Sequence, residues 1–253
     1  MGTERKQIID FHLNYGSGLY GPELTGPDFA LLMDKHELTG AVLCPLKPHE
    51  YHFRSANRAV FDAVNGASQQ VWGFCRVDPW RGREAVKEIE RCRLEYGFKG
   101  VWLHPAEENY AANSVIVNPV IETAAGLGMV IMIAGGFTPQ SHPSSLYALA
   151  CRFPEVEMII TSAGQINISG ALLSDAEQLF RDHERLYLET SGIYRSDFIE
   201  DMVRKIGPER VLFGSNAPIY SLPFELRRIE TLQIADSEKD LLLAGNAYRL
   251  LDT

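Results

Sequence analysis

His12 and Asn14 stand two residues apart where the apolar run Gln7-Ile8-Ile9-Asp10 gives way to Phe11-His12-Leu13-Asn14. Read as a short buried strand, this run places Ile8, Asp10, His12 and Asn14 on one face by the period of two. A His-x-His in that position offers two imidazoles to one metal ion, and here the second imidazole is an amide. His12 reads either as a catalytic imidazole or as a mouth histidine fixed by Asp10.

Other residues with chemical potential fall at the ends of apolar runs. His104 has the parity of Trp102 and suits acid–base work, orientation of a substrate carboxylate, or packing beneath a substrate. Arg76 offers a guanidinium that could take a carboxylate bidentately; the alternative is an internal ion pair with Asp78. Glu189, within Leu188-Glu189-Thr190-Ser191-Gly192, is a candidate base or a hydrogen-bonded structural carboxylate. The loop Lys47-Pro48-His49-Glu50-Tyr51-His52 is the densest polar cluster, suited to an anion or a metal, although loop histidines at such spacing are commonly solvent-exposed. Gly135-Gly136 permits close approach of backbone or ligand. His36 and His183 fall in helical and connecting segments.

The elements that must position these groups alternate from end to end. Strands are expected at 7–12, 39–44, 71–77, 99–104, 128–134, 156–161, 185–190 and 210–215. Several, such as Met129-Val130-Ile131-Met132-Ile133, are apolar on both faces, as parallel strands covered on both sides require. Between them, Arg83–Tyr96 spaces Ala85, Ile89, Cys92 and Tyr96 along one helical face, with Gly97 placed to end it. Helices are also expected over Arg54–Val64, from Pro27 to Leu32, from Ser196 to Ile206 before Gly207-Pro208, and from Pro119 with Asn118 as its cap. Eight strands with intervening helices predict a (β/α)8 TIM barrel in one domain, 1–253. The first strand lacks the Gly-rich phosphate turn of a doubly wound sheet.

In order along the chain, the first-strand D-x-H, Phe98-Lys99-Gly100-Val101-Trp102-Leu103-His104-Pro105, Arg210-Val211-Leu212-Phe213-Gly214-Ser215-Asn216-Ala217-Pro218 and Gly245-Asn246-Ala247 resemble the amidohydrolase-related (amidohydrolase 2) family. That family includes aromatic-acid decarboxylases and pyrone-dicarboxylate lactonases. The resemblance implies metal ligands as His-x-His on strand one, a His ending strand five, a His ending strand six and an Asp ending strand eight. At the matching positions this chain carries His12 and Asn14, Ala134, Ser162 and Asn216. One imidazole with neutral amides and a hydroxyl is a poor set for zinc, manganese or iron. Asn216 also lacks the basicity that a strand-eight Asp brings to water.

The resemblance therefore implies a hydrolase or non-oxidative decarboxylase for a small carboxylated or cyclic substrate, working without a metal. His12, His104 and Glu189 would move protons, and Asn14, Lys47, Arg76, Ser162 and Asn216 would bind substrate. No cofactor is expected; zinc is disfavoured, with His142 as a substitute ligand only in a third reading. The alternative class is an inactive barrel kept as a ligand- or partner-binding protein.

Composition adds exclusions. The chain has 253 residues, 45% apolar and 23% charged, with a formal charge of −9. That charge disfavours nucleic acid and anionic membranes as partners at long range. Cys44, Cys75, Cys92 and Cys151 form no zinc-finger spacing and suit reduced thiols. A start without an apolar leader and the lack of a spanning segment suggest a cytoplasmic, soluble protein. The exposed-looking Trp80 loop and the family resemblance suggest a homodimer.

Overall fold

A computed structural model describes residues 6–50, 52–165 and 172–251. Tyr51 of the polar loop and the residues before Lys6 lie outside the described residues. The strands are β1 Ile9–Ser17, β2 Glu23–Leu24, β3 Gly40–Pro45, β4 Gln70–Arg76, β5 Gly100–Leu103, β6 Val130–Ile133, β7 Met158–Ile160, β8 Leu186–Glu189 and β9 Val211–Leu212. They form a curled sheet in the order β2-β1-β3-β4-β5-β6-β7-β8-β9, parallel except for the β1–β2 pair. The short antiparallel β2 is absent from the sequence reading; two residues are too few to show a period.

Helices α1 Gly26–Lys35, α2 Arg54–Gly66, α3 Arg83–Leu94, α4 Asn118–Gly126, α5 Pro143–Arg152, α6 Leu173–Asp182, α7 Ser196–Ile206 and α8 Leu222–Thr231 alternate with the strands. Short α9 Asp236–Asp240 and α10 Asn246–Leu251 flank a π-turn at Leu241–Gly245. In α3 the buried face is Ala85, Ile89 and Cys92, the stripe its sequence period predicts. Asn118 is the first helical residue of α4 rather than its cap, and its Oδ1 accepts from Arg152 at 2.8 Å.

Two apolar layers lie on either side of the sheet. The inner one brings together Ile9, Phe11, Val42, Phe74, Trp102 and Met132 with residues of the later strands and α10. The outer one packs Leu43, Cys75, Val101, Ile131, Ile160 and Leu188 beneath the helices. This two-sided burial explains why the strands read as continuous apolar runs.

The register of β1 against β3 shifts between Asp10 and Leu13. Ile9 and Phe11 join the inner layer, Ile8 and Leu13 the outer one, and His12 and Asn14 line a cavity. The expected unbroken even face of Ile8, Asp10, His12 and Asn14 is therefore corrected: the bulge turns Phe11 and His12 inward in succession. Bulges re-aim side chains in this way beside functional sites.

The chain beyond β9 returns to β1. Phe11 N donates to Phe213 O at 2.9 Å, Asn216 N to His12 O at 2.7 Å, and Asn14 N to Ala217 O at 2.8 Å. These bonds set the strand-eight motif beside His12. No helix among the described residues is long and apolar enough to cross a membrane.

Candidate active site

The C-terminal ends of the strands surround a cavity of about 350 Å³, lined by His12, Asn14, Ala134, Ser162 and Asn216 together with Trp102 and His104. All five positions that the family resemblance picks out thus converge on one space, although they lie far apart in sequence. Lys47, Arg76 and Glu107 form another part of the wall.

His12 is buried at the floor. Its Nδ1 lies 3.6 Å from Glu189 Oε2, and its ring centroid is 4.7 Å from that of Trp102. Neither ring nitrogen of His12, nor Trp102 Nε1, finds a hydrogen-bond partner among the described residues. Buried polar atoms without partners are uncommon and costly, and these three are grouped at the cavity.

Asp10 does not hold the His12 ring. Its Oδ1 accepts from the backbone N–H of His12 at 3.1 Å and of Ser215 at 2.8 Å, joining β1 to the strand-eight motif. Burial pushes the Asp10 carboxyl up to about 6, against the pull of its hydrogen bonds from Ser215. The carboxylate that faces the imidazole is instead Glu189. It is fully buried behind His12, accepting from Ser191 N at 2.6 Å, Ser191 Oγ at 2.8 Å and Ser162 N at 3.4 Å. Glu189 is outside the cavity lining.

Asn14 Nδ2 donates to Asn216 Oδ1 at 2.5 Å and to the Asn216 carbonyl at 3.3 Å. The amide pair spans the gap where two metal ligands would stand in the family pattern. Asn216 has φ +54, and Ser162 and Ala163 have φ +53 and +50, all in the left-handed region that non-glycine residues seldom occupy. Such backbone concentrates at functional turns.

The expected Arg76–Asp78 pair does not form. Asp78 accepts from Trp80 N at 3.0 Å, whereas Arg76 reaches Glu107 and, at 2.8 Å, Glu108 Oε1. Burial opposes the guanidinium charge, but Glu108 and Glu107 outweigh it and hold Arg76 above its ordinary range. Its guanidinium also sits over the Phe53 ring, 5.0 Å from the centroid. Lys47 Nζ donates to the Glu107 carbonyl and lies 3.5 Å from Glu108 Oε1. Both cations assigned to a substrate anion thus already have internal partners. The acidic doublet Glu107-Glu108 follows the His104-Pro105 motif after Ala106, and reading it against Arg76 would have found the network.

Burial, with Arg76 nearby, lowers the His104 imidazole to about 3, so the ring is neutral. Its Nδ1 accepts from Glu107 N at 3.2 Å, which assigns the proton to Nε2. His104 is therefore a hydrogen-bond donor at the cavity wall.

The remaining polar candidates fall elsewhere. His142 caps α5, accepting from Ser144 N at 3.1 Å, and is outside the cavity. His49 and His52 are exposed, and His52 pairs with Glu50 at 3.5 Å two residues before α2 begins. Trp80 is 61% exposed, though its Nε1 donates to Glu108 O at 3.1 Å.

As a seat for the divalent ion implied by the family pattern, the donor set does not fit. Among the described residues no three His, Cys, Asp or Glu side chains form a metal-holding group. Asn14 Nδ2 is engaged with Asn216 Oδ1, and neutral amide oxygens are weaker ligands for such ions than imidazole or carboxylate.

The chain is thus an α/β protein whose curled, mostly parallel sheet carries its cavity at the strand ends. The amidohydrolase family model matches residues 50–253, and the chain belongs to that family. No curated protein matches the chain. Among solved structures, 5-carboxyvanillate decarboxylase from Sphingomonas paucimobilis is similar with TM-score 0.76 at 15% identity, over 98% of this chain and 99% of that one. A dihydroxybenzoic acid decarboxylase from Polaromonas, with bound manganese and 2-nitroresorcinol, gives TM-score 0.77 at 17% identity, covering 98% and 97%. A probable 2-pyrone-4,6-dicarboxylic acid hydrolase from Acinetobacter baumannii, with citric acid bound, gives 0.77 at 18%, covering 97% and 99%. At these identities the likeness establishes the fold alone.

Proposed function

We propose that this chain is a one-domain (β/α)8 barrel enzyme of the amidohydrolase family, a hydrolase or non-oxidative decarboxylase for a small carboxylated or cyclic substrate. The observation that carries this reading is the convergence of His12, Asn14, Ala134, Ser162 and Asn216 with Trp102 and His104 on one strand-end cavity. The bonds from the 213–217 segment to β1 support closure of the sheet into a barrel. The decarboxylases and the dicarboxylic acid hydrolase among the fold neighbours support the substrate class.

In this reading His12 is the proton-transfer residue. In hydrolysis it would take the proton of an attacking water and return it to the leaving oxygen. In decarboxylation it would deliver a proton to the carbon that loses carbon dioxide. Glu189 steadies the imidazolium formed in the first case, as a buried carboxylate oriented by three hydrogen bonds can. The Nε2–H of His104 would steer a substrate oxygen, and the Asn14–Asn216 pair would orient the ring. The neutral donor set supports a reaction in which a resident divalent ion has no part.

The test is turnover on a panel of aromatic mono- and dicarboxylates and pyrone or lactone carboxylates, following carbon dioxide release and ring absorbance. Chelator-treated protein is expected to turn over at least one of them, and His12→Gln to abolish this. Binding without turnover across the panel would overturn the enzymatic reading in favour of a ligand-binding barrel.

A further inference from the structure

Glu107 and Glu108 are neighbours in sequence but not in role. The Glu108 side chain is 2% exposed and lies outside the cavity lining, bound to Arg76 at 2.8 Å and 3.5 Å from Lys47. The Glu107 side chain is 19% exposed and forms part of the cavity wall. One of its oxygens meets Arg76 and the other lies 3.8 Å from His104 Nε2. A carboxylate held between a guanidinium and an imidazole N–H at the edge of a binding cavity has the surroundings of a bound substrate carboxylate.

The backbone beneath it is fixed independently of that carboxylate. Glu107 N donates to His104 O at 3.1 Å and His104 Nδ1 at 3.2 Å, while the Glu107 carbonyl accepts from Lys47. The side chain can therefore leave by rotation about its own bonds while the loop stays in place. Charge makes the exchange selective. Arg76 and Lys47 are balanced by Glu107 and Glu108, so withdrawing the Glu107 carboxylate leaves the cluster with one positive charge in excess. An incoming carboxylate restores the balance and a neutral ligand does not.

We propose that Glu107 is a resident stand-in for the substrate's carboxylate, seated on Arg76 and His104 and displaced when a carboxylated ligand enters the cavity. This rests on the reading of the cavity as the site for a small carboxylated substrate. Glu107 thereby sets specificity: it lowers affinity for every ligand that would take its place and excludes neutral isosteres.

Calorimetric titration with isophthalate and with neutral isophthalamide, on the wild-type protein and Glu107→Gln, tests the displacement. Glu107→Gln keeps the shape and leaves Arg76 paired with Glu108, so the fold is expected to persist. Loss of the competing anion is expected to tighten isophthalate binding roughly tenfold, and isophthalamide, which the wild type excludes, is expected to become a weak ligand of the variant. Equal or weaker isophthalate binding by Glu107→Gln, with measurable binding by the wild type, overturns the displacement and leaves the carboxylate reading standing. Failure of both proteins to bind any carboxylate of the panel overturns that reading and the displacement with it. Should the variant not fold, a crystal structure of the wild type with isophthalate decides. Glu107 off Arg76 with the ligand carboxylate in its place supports the exchange, and Glu107 still on Arg76 beside bound ligand overturns it.

Discussion

His12 Nδ1 faces Glu189 Oε2 at 3.6 Å, two residues separated by almost the whole sheet in sequence yet paired at the cavity floor. The carboxylate is held in place by Ser191 and Ser162. Glu189→Gln preserves volume and removes the charge that steadies a protonated His12. On any panel substrate it is expected to lower kcat by about 10²–10⁴-fold with little change in KM. Steady-state kinetics check this; a changed KM with unchanged kcat would remove Glu189 from the proton-transfer role.

Gly214 touches the same carboxylate from behind. A Cβ there would collide with Glu189 Oε1, and the side chain has no room to retreat within its three hydrogen bonds. Gly214→Ala is expected to cost about 1–3 kcal/mol in chemical denaturation, as overpacking does, and to lower turnover by dislodging Glu189.

Arg76→Met tests the buried charge network. It leaves Glu108 buried without its strongest partner, a loss expected to cost about 3–5 kcal/mol by denaturant titration. A double variant, Arg76→Met with Glu108→Gln, is expected to recover part of that stability, because the stranded charge goes too.

The depressed His104 imidazole gives a pH dependence of definite sign. Between its folded value of about 3 and the ordinary 6.5, the unfolded chain binds a proton that the folded one refuses. Stability contributed by His104 is thus complete above 6.5 and falls on acidification, by about 1.4 kcal/mol per pH unit. Asp10, raised from 3.8 to about 6, works in the opposite sense between those values, since the folded chain there holds the extra proton. The comparison of wild type with His104→Asn isolates the histidine. Its stability difference is expected to shift against the wild type as pH drops from 6.5 to 4.5, measured by denaturant titration at each pH.

The donor set around His12 predicts weak interest in divalent ions. Protein purified without chelators is expected to carry well under one zinc or manganese per chain by elemental analysis. Neither ion should raise Tm, and chelation should leave turnover unchanged. Stoichiometric metal lost on His12→Ala would overturn the metal-free reading.

Much of this site was legible in the chain itself. Apolar runs alternating with helical stripes announce a parallel α/β sheet, because burial on both faces and the 3.6-residue period are local requirements written into local sequence. His12, Asn14, Ala134, Ser162 and Asn216 could be marked because the family resemblance singles out those strand-end positions, and parallel sheets of this kind gather their chemistry at one edge. Partner choice was not legible. Arg76 takes Glu107 and Glu108 rather than nearby Asp78, because the chain after β5 folds back over β4 and Asp78 is spent on capping Trp80. The bulge in β1, which aims His12 inward directly after Phe11, depends on how β1 sits against β3 and the returning 213–217 segment. Glu189 stands behind His12 because Ser191 and Ser162 hold it there. Which faces are buried follows from neighbours along the chain; which charges meet follows from the path of the backbone through space.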